Sequence, residues 1–114
     1  MRLVQQIFDA TVTRFGAARW SVQQRGDVPT GAPLDTIAEE DVDQIMAVNV
    51  KGTWLCLGKE VHVMERQGLD AIVNVSSIGG LRGSPGMGAY QATKHAVIGL
   101  TRTAAHDFGP IGIR

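Results

Sequence analysis

The apolar positions of this chain follow two patterns, which predict helices in three long segments and a strand in one short segment. Apolar side chains three and four residues apart form one stripe along a helix, whereas a short unbroken apolar run bounded by turn residues is typical of a buried strand. The first helical stripe comprises Val4, Ile7, Phe8, Val12 and Phe15; the second comprises Val42, Ile45, Met46, Asn49, Thr53, Cys56, Leu57, Val61 and Met64; the third comprises Ala89, Ala92, Ala96, Val97, Leu100, Ala104 and Phe108.

Residues that are common at helix ends bound the three predicted helices. Gly16 follows the first stripe and Gly109-Pro110 follows the third, as expected of C-terminal helix signals. The second helix should begin at a capping box formed by Thr36 and Glu39 and run toward Gly68. The first helix is expected to pack on a sheet.

The short apolar run contains Ile72, Val73 and Val75, β-branched residues that favour a strand buried in a parallel sheet. Serines and glycines follow it and close the strand. In open α/β sheets, ligands bind beyond the carboxyl ends of the strands. The residues that follow Val75 are therefore expected to line a site.

The composition and charge of the sequence limit its expected binding partners and its expected cellular compartment. Eleven basic and eleven acidic residues balance without a block of like charge, so the sequence favours neither nucleic acid nor an anionic membrane as a partner. The sequence contains no run of about 18 apolar residues that could span a membrane, and its start lacks the apolar core of a secretion signal. The single Cys56 cannot form an internal disulfide, which favours a cytoplasmic location. At 114 residues, the chain is at most one domain.

Tyr90 and Lys94 are four residues apart on the third helix, so they lie on one face about one turn from each other. A phenol is almost fully protonated at neutral pH, and a nearby ammonium favours the phenolate, so the pair is suited to general acid–base catalysis. Ser77 lies at the end of the predicted strand, where its hydroxyl could hold a substrate oxygen. Because the spacing of Tyr90 and Lys94 is common on solvated helices, the prediction depends on all three residues.

Two other kinds of site receive less support. The segment from Gly79 to Gly88 has the strand, glycine loop and helix layout of a phosphate cradle, but Gln91 stands where the third glycine would be. Pro85 also removes an amide from this loop, so a mobile substrate loop is the better interpretation. No metal site is predicted, because ligand-like spacing is lacking among His62, His95 and His106.

These residues resemble the motifs of the short-chain dehydrogenase/reductase family. The matching segments are Met46-Ala47-Val48-Asn49-Val50-Lys51-Gly52, Asn74-Val75-Ser76-Ser77 and Tyr90-Gln91-Ala92-Thr93-Lys94. The resemblance runs from about Arg2 to Arg114. It implies an α/β fold, a partial Rossmann-type doubly wound parallel sheet with flanking helices. It also implies an NAD(P)-dependent oxidoreductase, similar to the 3-oxoacyl carrier-protein reductase, glucose dehydrogenase and hydroxysteroid dehydrogenase types.

The resemblance also implies roles for individual residues. Tyr90 would be the acid and base, Ser77 would orient the substrate oxygen, and Lys94 would assist the tyrosine and bond the ribose of NAD or NADP. Asn49 would hold a water in a proton relay. The substrate would be a small alcohol or ketone, and members of the family form homodimers or tetramers through the second and third helices.

The chain departs from the family pattern at both ends and in one internal segment. Residues 1–114 contain neither the N-terminal glycine motif nor the C-terminal substrate lid, so they are expected to be the central part of one NAD(P)-binding domain. Such a chain is expected to bind the cofactor weakly when isolated, because the glycine motif supplies the amides that hold the pyrophosphate. Between Ala17 and Asp27, where the family has a buried strand ending in Asn-Asn-Ala-Gly, the sequence is too polar to predict a central strand.

A shift of reading frame accounts for this polar segment. The codons for Ala18 to Asp27, read one base later, permit Leu-Asp-Gly-Leu-Phe-Asn-Asn-Ala-Gly, which is the strand expected of the family. We therefore hypothesise a local frameshift in the gene or in its sequencing. Resequencing the codons from Ala17 to Val28 tests the hypothesis, and an unchanged frame contradicts it.

Two other functions stay open on the sequence. The chain could be an inactive fragment, or an oligomerisation module that pairs with an intact relative through its two long helices. A sugar-nucleotide epimerase shares the Tyr-x-x-x-Lys spacing, although the segment around Asn49 and the position of Ser77 favour a dehydrogenase.

Overall fold

A computed structural model describes residues 2–15, 20–23, 31–68 and 70–114 of the chain. In chain order its main elements are α1 (Arg2–Phe15), β1 (Trp20–Gln23), α2 (Glu39–Met46), α3 (Gly52–Met64), β2 (Ala71–Asn74) and α4 (Gly88–Phe108). A π-helical turn at Ala47–Lys51 joins α2 to α3, and 3-10 turns occupy Ile78–Gly80 and Gly109–Ile111. Among these described helices, none combines the length and apolar character that crossing a membrane requires.

The two strands form a parallel pair in which Trp20 lies opposite Ala71 and Gln23 opposite Asn74. The end of the chain continues the sheet beside β2. Asp70 forms a parallel bridge with Ile113, and the backbone of Arg114 donates to Asp70 O at 2.9 Å. Helices therefore alternate along the chain with strands that pair in parallel, as expected of an α/β fold.

The strand at β1 shows that one expectation from the sequence was wrong. The segment from Ala17 to Asp27 was too polar to predict a central strand, yet Trp20–Gln23 pairs with β2 over four residues. Ladder hydrogen bonds come from the backbone, which a polar sequence supplies as well as an apolar one. Trp20 and Val22 are also residue types that favour strands.

The predicted second helix is present, but its start and its middle differ from the expectation. The residue that precedes α2 is Ala38, which makes no side-chain capping bond. Thr36 instead lies in a turn in which its Oγ1 donates to Pro33 O at 3.2 Å. The predicted capping box of Thr36 and Glu39 is therefore wrong. The threonine hydroxyl bonds a carbonyl of the preceding turn, and α2 begins only after Ala38. The π turn, which the apolar period did not predict, interrupts the helix around Asn49.

The core lies where α3, β2 and the C-terminal end of α4 meet. Val61, Met64 and Ile113 are buried together, and Ile72 and Phe108 pack against them. α1 lies against α3. The C-terminal end of α4 packs in this core. The other end of α4 lies against the 3-10 turn that follows β2.

Candidate active site

Three hydrogen bonds join the end of β2 to α4. Asn74 Nδ2 donates to Thr101 Oγ1 at 3.0 Å, Ser76 Oγ donates to Lys94 O at 2.9 Å, and Lys94 Nζ donates to Val75 O at 3.2 Å. The 3-10 turn that follows also lies tightly on α4. A Cβ on Gly80 would meet Ser76 Oγ and would stand 2.9 Å from Lys94 O, so only glycine fits there. The strand end and the helix therefore hold a fixed relative position.

Ser77 and Tyr90 both lie close to Gly79. The Ser77 hydroxyl accepts a hydrogen bond from the Gly79 N–H at 3.1 Å. A Cβ built on Gly79 would stand 3.6 Å from Ser77 Oγ and 3.4 Å from Cε1 of the Tyr90 ring. A hydroxyl has one hydrogen and two lone pairs, so a bond that uses a lone pair leaves the Ser77 hydrogen directed away from Gly79. The absence of a side chain at Gly79 keeps the space between the two groups open.

Lys94 brings a positive charge to the same place. Its side chain is 3 % exposed, and Nζ lies 5.6 Å from the centroid of the Tyr90 ring. A buried ammonium requires hydrogen-bond acceptors, and the carbonyl of Val75 at the end of β2 is one of them. The structure thus brings together Ser77, Tyr90 and Lys94, as the sequence predicts.

Asn49 reaches the site through Thr93. The Asn49 side chain is 1 % exposed, and its Nδ2 donates to Thr93 Oγ1 at 3.1 Å. Thr93 Oγ1 in turn donates to Tyr90 O at 2.6 Å. Thr53 Oγ1 donates to the Asn49 carbonyl at 2.7 Å. These contacts tie the π turn to the turn of α4 that carries Tyr90, and the water-holding role of Asn49 stays a prediction.

Two buried residues of α4 were missed as site residues by sequence reasoning. Thr93 lies three residues after Tyr90, which places it on the same side of the helix. This helical spacing is a signal from which Thr93 could have been predicted as a site residue. Gln91 accepts a hydrogen bond from the backbone N–H of Ser84 at 2.8 Å. No periodic signal reveals that contact, because it depends on how the preceding loop folds back on α4.

Replacing Thr93 by Val should lower the free energy of unfolding by about 1–3 kcal/mol, because the amide of Asn49 loses its buried acceptor. Val is β-branched like Thr and carries a methyl group where Thr has its hydroxyl, so the change leaves the packing largely intact. Thr93→Ser is the matched control, since it keeps the hydroxyl and loses one methyl group. Urea denaturation followed by circular dichroism measures both. A greater loss in Thr93→Ser than in Thr93→Val would contradict the role of the hydroxyl.

The structure is a parallel α/β arrangement in which Ser77, Tyr90 and Lys94 come together at the carboxyl end of a strand. Residues 2–114 match the family profile described as enoyl-(acyl carrier protein) reductase. The chain belongs to the short-chain dehydrogenase/reductase family, and the predicted resemblance is thereby confirmed.

Individual relatives support the same grouping. An uncharacterised oxidoreductase of Thermotoga maritima is 44 % identical over 110 residues, which are 96 % of this chain and 43 % of that protein. The solved structure of ElxO with NADP bound is similar with a TM-score of 0.93 and 36 % identity, over 97 % of this chain and 45 % of that one. NAD⁺-bound xylitol dehydrogenase is similar with a TM-score of 0.93 and 33 % identity, over 97 % and 43 %. The chain spans less than half the length of these relatives.

Proposed function

We propose that this protein is an NAD(P)-dependent oxidoreductase that transfers a hydride between a nicotinamide cofactor and a hydroxyl or keto substrate. The observation that carries the proposal is the convergence of three groups at the end of β2: the Ser77 hydroxyl, the Tyr90 phenol and the buried Lys94 ammonium. Such a set can hold one substrate oxygen, move a proton to or from it and stabilise the accompanying charge.

The donor set at this strand end fits the ribose of a nicotinamide nucleotide. A phenol both donates and accepts hydrogen bonds, and the Lys94 ammonium is a hydrogen-bond donor. Two adjacent ribose hydroxyls can be bonded by such a pair, so Tyr90 and Lys94 would hold the ribose. The cofactor supplies the hydride when it is bound. NADP in ElxO and NAD⁺ in xylitol dehydrogenase make both nucleotides candidates here.

In the reduction of a ketone, Ser77 and Tyr90 act on the same substrate oxygen. The Ser77 O–H donates to that oxygen and fixes its position, while the Gly79 N–H holds the serine oxygen from the other side. Tyr90 gives its phenolic proton to the oxygen as negative charge develops there. The Lys94 ammonium favours the phenolate that remains. In the oxidation of an alcohol, the phenolate takes the proton back.

Asn49 is proposed to hold a water in a proton relay that serves Tyr90 and Lys94. Its Oδ1 is buried and has no hydrogen-bond partner within the described part of the chain. Ordered water commonly satisfies a buried acceptor of this kind. A crystal structure at high resolution should show a water within hydrogen-bond distance of Oδ1, and an Oδ1 bonded directly to another side chain would contradict the role.

The proposed activity is tested in a version of the protein that carries the family's N-terminal glycine motif as well as residues 1–114, because the chain alone is expected to bind the cofactor weakly. This protein is incubated with NADH or NADPH and a panel of ketones, namely cyclohexanone, ethyl acetoacetate and acetoin. We expect at least one ketone to accelerate the loss of the absorbance of the reduced nicotinamide. Protein that is folded by circular dichroism, yet oxidises neither nucleotide in response to any ketone, would contradict the proposal.

We also propose that residues 1–114 are the central part of one Rossmann-type domain with a doubly wound parallel sheet. The pairing of Asp70 with Ile113 beside β2 supports further parallel strands, as does the similarity to ElxO over 97 % of the chain. A crystal structure with an antiparallel strand next to β2 would contradict it.

A cytoplasmic location suits the half-buried thiol of Cys56, and recovery of the protein from a secreted fraction would argue against it.

We propose that the protein forms a homo-oligomer through one face of the helical segment that runs from α2 through the π turn into α3. Met46, Val50 and Trp54 are four residues apart, and the Trp54 side chain is 66 % exposed. With their neighbours they line an open apolar groove formed by Met46, Ala47, Val50, Lys51, Trp54 and Leu55. A second copy with the same face could cover it across a two-fold axis. Light scattering should show a dimer or tetramer that Trp54→Glu dissociates but Ile111→Glu does not, and a monomeric wild type would contradict the proposal.

A further inference from the structure

Two hydrogen bonds from outside hold the loop at residues 81–87, which joins the 3-10 turn after Ser77 to the start of α4. On one side, Gln91 Oε1 accepts from the Ser84 N–H at 2.8 Å. On the other side, Gly31 N–H donates to Gly86 O at 3.1 Å. Gly86 has a φ of +70°, and a Cβ there would stand 3.1 Å from Gly31 Cα, so the two backbones touch. The loop is therefore fixed between α4 and the segment before α2.

The side chain of Gln91 lies close to the glycine beside the reacting groups and also reaches this loop. It is 7 % exposed, and its Cγ lies 3.1 Å from the point that a Cβ on Gly79 would occupy. That same point is close to the Tyr90 ring and to Ser77 Oγ. One buried side chain thus contacts both the glycine between the reacting groups and the backbone of the loop at Ser84.

The loop needs such a contact to keep one conformation. It contains Gly83, Ser84 and Gly86, residue types that tolerate many backbone conformations. It begins with Leu81, whose side chain is 74 % exposed, and exposed apolar Ile78 precedes it directly after Ser77. A loop held in place gives the Leu81 side chain, which follows the 3-10 turn after Ser77, one position, whereas a loose loop does not.

We propose that Gln91 is a positioning residue for the substrate: its bond to Ser84 fixes residues 81–87 as the wall against which an apolar, non-reacting part of an alcohol or ketone packs. The proposal rests on the proposed oxidoreductase function. Since Gln91 acts through the loop and leaves Ser77, Tyr90 and Lys94 in place, its loss should weaken substrate binding and leave the chemical step largely intact.

Gln91→Met tests the proposal, because it keeps the length of the side chain and removes the acceptor. Gln91→Glu is the matched control, since a carboxyl group retains an acceptor oxygen in either protonation state. Ser84→Pro removes the same hydrogen bond from the loop side without a change in α4. Hydrogen exchange of the Ser84 amide in the first two variants, together with steady-state kinetics in all three, distinguishes the effects.

We expect the Ser84 amide to exchange about tenfold faster in Gln91→Met than in the wild type, as for the loss of one hydrogen bond, and near the wild-type rate in Gln91→Glu. With the ketone that the wild type reduces best, KM should rise about tenfold in Gln91→Met and Ser84→Pro, while kcat stays within about twofold. Unchanged amide exchange in Gln91→Met, or a fall in kcat at constant KM, would overturn the proposal. A wild type that reduces no ketone would refute the oxidoreductase function. The exchange rates would then show separately whether the hydrogen bond from Ser84 to Gln91 holds the loop.

Discussion

Replacing Tyr90 by Phe is expected to lower kcat by about 10²–10⁴-fold, the usual contribution of a positioned general acid or base. In the proposed mechanism the phenol gives its proton to the substrate oxygen, and Phe keeps the ring beside Gly79 and Lys94 while removing only the hydroxyl. Steady-state oxidation of NADH or NADPH measures the loss. Fluorescence titration of the same nucleotide should show an affinity within about tenfold of the wild type, because Lys94 would still hold the ribose.

This comparison separates a chemical role for Tyr90 from a structural one. A variant that keeps cofactor affinity and loses turnover has lost the acid and base. Retained turnover in Tyr90→Phe would assign the proton transfer to another group. A loss of the far-ultraviolet circular dichroism signal would instead show that the hydroxyl supports the fold, which its half-buried position does not lead us to expect.

Replacing Ser77 by Ala is expected to lower kcat/KM by about 10²–10³-fold, as for the removal of one preorganised donor to a developing oxyanion. The Gly79 N–H fixes the serine oxygen, so the hydroxyl is held ready for the substrate before it binds. The loss should appear with every ketone that the wild type reduces, because in the proposed mechanism the hydroxyl donates to the reacting oxygen that all of them share.

The neighbouring serine provides the control for Ser77→Ala. Ser76 Oγ donates to Lys94 O and faces the helix, so Ser76→Ala removes one structural hydrogen bond and should cost about 1 kcal/mol of stability. Its effect on kcat/KM should be much smaller than that of Ser77→Ala. Equal losses in the two variants would contradict a direct role for the Ser77 hydroxyl.

The parts of the site that local geometry determines could be predicted from the sequence. Tyr90 and Lys94 lie on one face because residues four apart always do so on a helix, and α4 is continuous from Gly88 to Phe108. The placement of Ser77 beside them followed from a general rule, namely that ligands bind at the carboxyl ends of parallel strands. These three residues needed no knowledge of the tertiary contacts.

Features that depend on tertiary contacts were not predicted. β1 was missed because its polar residues conceal a strand whose pairing comes from the backbone. The π turn at Ala47–Lys51 was missed because a spacing of four residues, as between Asn49 and Thr53, suits an α-helical turn and does not reveal a single wider turn. The contact of Gln91 with Ser84 was missed because a loop must first fold back onto α4.

Transfer of a labelled hydride is the most direct test of the proposed reaction. The protein is incubated with a ketone and with reduced nicotinamide cofactor that carries deuterium at the transferable position of the ring, and the alcohol product is analysed by mass spectrometry. We expect one deuterium at the carbinol carbon of the product. An alcohol without deuterium, or no alcohol from protein that is folded, would contradict hydride transfer at the site formed by Ser77, Tyr90 and Lys94.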